Sequence, residues 1–399
     1  MTAQNPPVSR RRIIGFTVFC AVCIAGALLY FVYSRAKSGN PAAPPGNSLP
    51  TSNYQIMPAH PGADPASAET KRGLPQALPA LSAPAKPSVS DKAAATSQDA
   101  LSAKQIPQPK LPLLFRITAL SESYGQVGEI NLLDPNAPIA VSSLRCERLH
   151  FAAGAGVCLN AERHMLVTYS GVVFNRDFQP RHQLRLSGLP SRVRVAPNGR
   201  TAAFTVFVSG HSYAAANFST LTTFVDLDKG ETLVDDMEKF MVTRDGERVQ
   251  GADFNFWGVT FKRDSNGFYA TLATGGHTFL VEGDFAARQA KLLRPGIECP
   301  ALSPDNSRVA FKKRTGGAMS PVSWRLSVLD LRTMQERQLA ETRSVDDQVE
   351  WLDNNSLLYS LPAAASGTAA TNTWTVPADG SGTPRLLVPN AYSPVVLRE

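Results

Sequence analysis

The sequence carries no phosphate-binding glycine loop, no zinc signature and no paired-carboxylate motif that stands out. It therefore shows neither a linear signal for nucleotide phosphates nor one for the usual carboxylate acid–base pair. No histidine stands at ligand spacing to a cysteine, which argues against a structural zinc site. An EF-hand pattern and an Asp-x-Asp-x-Asp-Gly run are also missing, so the acidic pairs Asp235-Asp236 and Asp346-Asp347 read as solvated loop charges rather than calcium ligands. Excess charge is missing too, once the net +7 is located. Eleven of the 40 basic residues but four of the 33 acidic ones precede Leu113, leaving 29 of each sign beyond it. A neutral globular part removes the main support for nucleic-acid binding. No catalytic, cofactor-binding or metal-binding residue is assigned.

One stretch lacks charge altogether. Residues 13–33, IIGFTVFCAVCIAGALLYFVY, would span roughly 31 Å as a helix, matching the hydrocarbon core of a bilayer. Arg10, Arg11 and Arg12 precede it, whereas Arg35 and Lys37 are the basic residues close behind it. This bias places residues 1–12 in the cytoplasm as a basic tail and the remainder outside, in the periplasm or at the cell exterior. An uncleaved signal-anchor in the cytoplasmic membrane is the expectation. The alternative is a cleaved signal peptide, cut after Ala25-Gly26-Ala27 or Ser34-Arg35-Ala36. Neither Cys20 nor Cys23 has the preceding residues of a lipoprotein site.

Residues 34–112 have almost no aromatics or aliphatic periodicity and are rich in Pro, Ala and Ser. Such a segment cannot bury enough surface to offset its ordering entropy, so it reads as a disordered linker with a reach of about 50 Å.

What the chain does have, from residue 113 to 399, is a repeat of about 48 residues. The copy ECPALSPDNSRVAFKKR (298–314), WRLSVLDLRTMQE (324–336) and RQLAET (337–342) matches RVRVAPNGRTAAFTVF, TLTTFVDLDKGE and TLVDDM from Arg192. It matches QVEWLDNNSLLYSL, NTWTVPADGSG and PRLLVP from Gln348 as well. Copies start near Leu144, Arg192, Gly251, Glu298 and Val345, around the turns AAGAG, APNG, RDSNG, SPDN and LDNN. Turn residues with strands on either side define the unit, and a fixed period of this size marks stacked or radial units. Five complete copies do not close a ring. The strands in LPLLFRITALSES, GEINLLDP and IAVSSL (112–144) look like a copy without its first strand, and SPVVL (393–397) like a first strand alone. Joined, they give an all-β, six-bladed β-propeller closed by its N- and C-terminal strands. A seven-bladed ring and an open β-sandwich are the alternatives.

The strings SPDNSRVAF, APNGRTAAF and LSVLDL resemble the propeller repeat of the bacterial TolB protein family, S-P-D-G followed by an apolar strand, over residues 113–399. NFWGVTF (255–261), FYATLATGG (268–276) and LAETRSVDDQVEWLD (339–353) resemble a narrower group, membrane-anchored or signal-bearing TolB-like translocation proteins whose biochemical role is not established. The resemblance implies a WD40-like propeller and says little of function. Where the TolB family carries an α/β domain ahead of its propeller, this chain has its linker and apolar run.

Other features are weighed against plainer readings. Cys146 and Cys158 fall on adjacent strands of one blade, and a hairpin centred near Ala152 would set them opposite one another as a disulfide that persists outside the cytoplasm. Cys299 reads as a core residue. Gly210-His211-Ser212-Tyr213-Ala214 has the outline of a nucleophile elbow, but it leads into a loop and a strand rather than a helix. Lys262-Arg263 and Lys312-Lys313-Arg314 sit in different repeat registers and read as solvated strand edges. Trp257, Trp324, Trp351 and Trp374 read as inter-blade packing. The sequence thus suggests a membrane-anchored scaffold, bound to the bilayer through residues 13–33 and meeting an envelope protein or cell-wall component. The alternative is a hydrolase or lyase acting on a sugar, lactone or peptide in the central funnel. Two or more titratable side chains converging there would favour the enzyme; an apolar or loop-plugged funnel would count against it.

Overall fold

The computed structural model describes residues 111–134, 138–163, 165–208, 219–251, 253–317, 320–363 and 370–398. The expected tail, anchor and linker (1–110) and the elbow string at 210–214 lie outside the described residues. No helix among the described residues is long and apolar enough to cross a membrane.

Six sheets, antiparallel apart from one parallel pairing in the fourth, follow one another around a ring. Blade 1 pairs the C-terminal strand Ala391–Val396 with Pro112–Ile117, then Gln126–Asn131 and Ala140–Arg145. In register, Leu113 faces Val396 and Leu114 faces Val395, so the two ends of the propeller share one sheet. From the axis outward, blade 2 runs Arg148–Ala152, Ala155–Arg163, Val167–Asn175 and Pro180–Arg185. Blade 3 begins on Leu189–Val195, blade 4 on Asn255–Phe261, blade 5 on Glu298–Leu302 and blade 6 on Glu350–Trp351. The blade count and the shared first blade agree with the repeat.

Period-two alternation is what locks neighbouring blades together, because successive side chains of a strand point to opposite faces. In Pro112–Ile117, Leu113, Phe115 and Ile117 join a cluster with Leu358 and Val388 of blade 6, while Leu114 joins one with Leu149 and Phe174 of blade 2. In Ser356–Pro362, Leu357 and Tyr359 face blade 5 and Leu358 faces blade 1. The apolar clusters fall one to each inter-blade seam: 1–2, 2–3, 3–4, 4–5, 5–6 and 6–1. That pattern needs every blade to be apolar on both faces, which is why second strands carry consecutive apolar residues, as in AAF of Thr201–Val208 and LLY of Ser356–Pro362.

Blade 4 departs from the repeat. The connection from blade 3 supplies Met241–Arg244, which pairs in parallel with the outer strand Gln289–Pro295, and then Glu247–Val249, giving a six-stranded sheet. Before it, the short 3-10 turn Met237–Lys239 is capped by Asp236, whose Oδ1 accepts the Glu238 N–H at 2.8 Å. Met237, Phe240 and Val242 are buried with Phe224 and Phe268 at the 3–4 seam, and their burial holds the extra strands in place. The repeat gives no sign of this insertion because its apolar residues pack on a seam that the repeat already fills.

Cys146 and Cys158 are joined by a disulfide, with Cα atoms 5.3 Å apart. Their placement differs from a directly opposed pair: Cys158 stands across from Leu149, and Cys146 lies ahead of the inner strand. The bond therefore ties the approach from blade 1 to the second strand of blade 2. Closing a loop of 12 residues restricts the unfolded chain and contributes about 3 kcal/mol in the chain-entropy account. Replacing both cysteines by alanine should lower the urea midpoint by an amount corresponding to about 2–4 kcal/mol, with the far-UV spectrum unchanged. An unchanged midpoint would show that the bond does not stabilise the ring.

Candidate functional site

The propeller axis is filled with charge. Residues 339–349, connecting blade 5 to blade 6, bring Asp346, Asp347 and Gln348 to one end of the inner strands. Asp347, 7% exposed, accepts from Nη1 of Arg148 of blade 2 at 2.8 Å through both carboxylate oxygens. It also lies 3.5 Å from Nη1 of Arg192 of blade 3, on the far side of the ring. The Arg148 guanidinium in turn lies over the Tyr392 ring of blade 1, 4.5 Å from its centroid. The Gln348 side-chain amide donates to the carbonyls of Gly258 at 3.3 Å and Val259 at 3.2 Å in blade 4, and of Pro300 at 2.8 Å in blade 5. Two consecutive residues of one loop thus link all six blades.

The receiving backbone is shaped for this. The inner strand of blade 4 shifts register between Trp257 and Thr260, and Gly258 there has φ +67°. A Cβ on Gly258 would stand 2.9 Å from the Cα of Cys299, so glycine is required both by conformation and by contact. Cys299 is itself buried in its strand.

Burial works against the Asp347 carboxylate, but Arg148 and Arg192 outweigh it and hold its pKa below the usual carboxylate range. The reading of Asp346-Asp347 as solvated loop charges is therefore corrected for Asp347, while Asp346 is exposed: Asp347 turns inward because two buried guanidinium groups would otherwise lack a counter-charge. Asp346 accepts from the Lys312 ammonium, which lies 3.4 Å from Glu298 and over the Trp324 ring at 4.7 Å. Lys312, 5% exposed, is no solvated strand edge either. Lys313 pairs with Glu336 at 2.8 Å, and Arg314 is exposed. Asp235 remains on the surface, paired with Lys239 at 2.5 Å.

A second charged layer lies beneath the first. Glu350 of blade 6 meets Arg194 of blade 3 at 3.5 Å, Arg398 at 3.0 Å and Nε2 of His150 of blade 2 at 3.9 Å. Arg194 also donates to the Val349 carbonyl at 2.6 Å. The Val195 N–H donates to Nδ1 of His150 at 3.1 Å, so the neutral ring carries its proton on Nε2, toward Glu350. Burial, reinforced by Arg194 and Arg398, pushes the His150 pKa well below its ordinary value and keeps the ring neutral.

Below this layer the axis widens into a funnel of about 490 Å³, at the end where the turns of the repeat stand. His150, Arg194, Glu350 and Arg398 form its floor, Phe151, Phe261 and Val396 its apolar wall, and Pro197, Arg263 and Pro304 its rim. Arg263 of the Lys262-Arg263 cluster is exposed there and donates to the Pro304 carbonyl at 3.1 Å, whereas Lys262 pairs with Glu282. Trp351 packs between blades, 2% exposed, its Nε1 donating to the Ala301 carbonyl at 2.8 Å. Trp257 is buried, and Trp374 packs at the 5–6 seam beneath the Arg343 guanidinium.

Asp347, Gln348, Glu350, Arg148, Arg192, Arg194 and His150 were not singled out as site residues by sequence reasoning, apart from Asp347 as half of a surface pair. A retrievable signal existed. Arg192 and Arg194 alternate with Val193 and Val195 at the end of an inner strand, and that alternation puts both arginines on one face of it.

These features define a six-bladed β-propeller whose axis is bridged by ion pairs at one end and opens as a funnel at the other. Among solved structures it is similar to TolB from Acinetobacter baumannii, at 14% identity over 72% of this chain and 67% of that one, with a TM-score of 0.49. It is also similar to a chain of the nidogen/laminin complex (11%, 72% and 98%, 0.47) and to the periplasmic gluconolactonase PpgL of Pseudomonas aeruginosa (14%, 73% and 99%, 0.40). These likenesses concern the propeller fold alone. No family model and no curated protein matches the sequence.

Two outcomes are expected of the axial charges. Asp347→Asn should destabilise the propeller by about 3–5 kcal/mol, because it leaves Arg148 and Arg192 buried without a counter-charge; Asp235→Asn should leave the urea midpoint unchanged. A small effect of Asp347→Asn would show the hub to be dispensable. For His150, the folded pKa is depressed, so below about pH 6.5 the unfolded chain takes up a proton that the folded chain refuses. Stability should then fall by about 1.4 kcal/mol per pH unit on acidification from pH 6.5, and His150→Gln should remove that part of the slope. Urea midpoints between pH 5 and pH 8 measure both.

Proposed function

We propose that this chain is a binding module of the cell envelope. Residues 13–33 anchor it in the cytoplasmic membrane, residues 34–112 space it from the bilayer, and the propeller lies outside, offering its funnel to another envelope protein. The sequence supports the anchor, the spacer and the exterior placement. One observation carries the binding reading: the titratable groups of the funnel floor are engaged with one another.

Titratable side chains do converge there, as an enzyme would require. A general base, however, needs a free lone pair directed at substrate. His150 has its Nδ1 lone pair on the Val195 N–H and presents Nε2–H, a donor. Glu350 is surrounded by Arg194, Arg398 and His150. The hydrolase or lyase reading rests on that His150–Glu350 proximity alone. A floor whose carboxylate and neutral imidazole are both engaged, with guanidinium donors left over on Arg398 and at the rim on Arg263, suits recognition better than proton transfer.

The test uses the full chain in its own membrane. A photo-crosslinker, p-benzoylphenylalanine, placed at Pro197 on the funnel rim should give a reproducible adduct with a discrete envelope protein, and the same group at Glu122 on the opposite face should not. No adduct from Pro197, or equal adducts from both faces, would overturn funnel binding. Alkaline phosphatase fused after Glu399 should be active in cells; an inactive fusion would overturn the exterior placement.

A further inference from the structure

We propose that the funnel receives a polypeptide end-on, by its free C-terminal carboxylate. This rests on the binding reading and adds which chemistry the site accepts. Three observations support it.

The first is that the funnel is blind. Asp347 reaches across the axis to Arg192, Gln348 spans to blades 4 and 5, and Arg194 spans from blade 3 to Val349 and Glu350. None of Asp347, Gln348, Arg148 and Arg192 lines the funnel, because all lie behind its floor. A ligand chain cannot thread through the ring and must either lie across the mouth or enter by a terminus.

The second is the sign of the charge. Among the described residues, Arg194, Arg263 and Arg398 line the funnel against one carboxylate, Glu350, with His150 neutral, which leaves two positive charges in surplus among them. Excess positive charge in a concave, poorly solvated site attracts an anion and repels an ammonium, so a carboxyl terminus is selected over an amino terminus. A guanidinium carries five N–H donors in a fixed fork that matches a carboxylate. Arg263 gives one nitrogen to the Pro304 carbonyl, and Arg398 uses two on Glu350 and the Trp351 carbonyl. Donors therefore remain on both for an incoming carboxylate.

The third is the wall. Phe151, Phe261 and Val396 give an apolar lining for a terminal side chain. No tryptophan among the described lining residues is open to stack a sugar ring: Trp351 is 2% exposed and lies under Arg308 at 5.4 Å. This argues for a peptide rather than an acidic wall polysaccharide. A volume of about 490 Å³ falls within the range of small-ligand clefts and has room for a short chain end.

The test uses the full chain in detergent and a mixed library of hexapeptides with free C-terminal carboxylates, compared with the same library amidated at the C-terminus. Retention on the immobilised protein is read by mass spectrometry. The free acids should be retained about tenfold over the amides, the discrimination that one charge-assisted contact gives. Arg263→Glu, at an exposed rim position, should abolish that preference with the far-UV spectrum unchanged. Equal retention of acids and amides, retention of neither, or a preference unchanged in Arg263→Glu would each overturn the proposal. So would retention of a polyuronate in place of the peptides. Failure here is separable from failure of the binding reading. An adduct from the crosslinker at Pro197 that maps to an internal segment of the captured protein overturns end-on recognition and leaves funnel binding standing. No adduct at all overturns the binding reading itself.

Discussion

The contact on which the ring most depends is made by Asp347 and Gln348. An ion pair to Arg148, a longer one to Arg192 and three amide-to-carbonyl hydrogen bonds join blade 6 to blades 2, 3, 4 and 5, and Arg148 extends the set to blade 1 through Tyr392. Inter-blade apolar clusters bind only neighbours, so by themselves they leave the ring free to breathe about its axis. A hub linked to every blade removes that freedom. Buried ion pairs seldom stabilise more than well-packed apolar groups of the same volume would, because desolvation opposes them. What this one supplies is direction: guanidinium forks and an amide can be satisfied in few arrangements.

Closure comes from a different source. The strand Ala391–Val396 completes a sheet begun by Pro112–Ile117, so the ends of the propeller sequence are held in one ladder. Both ends consequently emerge on the face where the funnel opens. The chain enters the ring at Leu111, beside the site, and Arg398 reaches Glu350 within it. A partner held at the funnel would therefore sit on the side of the ring where the chain enters. The extra strands of blade 4 lie away from this region, at the outer edge of their sheet, where they add a parallel pairing and then a short charged edge strand. Short, charged edges of this kind discourage further pairing.

The two charged layers divide the axis by role. In the first, cations and carboxylates meet across the ring with few donors left over, and the result is a plug. In the second, two guanidinium groups, Arg194 and Arg398, share the Glu350 carboxylate at the funnel floor, Arg263 adds a third at the rim, and the imbalance makes a receptive surface. His150 sits between these conditions. It is buried enough to stay neutral, and its backbone partner fixes the tautomer. A charged imidazole there would add to an already positive funnel, so its neutrality limits the surplus of charge at the site.

The sequence alone determined the scaffold. Turn residues at a fixed period, strands of apolar residues around them, and incomplete copies at the two ends pointed to six blades and a shared first one, because no blade with two apolar faces can stand alone. It also determined that the globular part is neutral. It did not reveal where the charges point. SVDDQ reads as a polar connection, and its four polar residues would be equally at home in solvent. Only the ring brings Arg148 and Arg192, distant from Asp347 in sequence and contributed by other blades, to the place where that carboxylate must turn inward. The funnel has the same origin: Arg194, Arg263, Glu350 and Arg398 come from four parts of the chain, and no linear spacing encodes their meeting. Periodicity is local and can be read along the chain, whereas an axis exists only once the ring is closed.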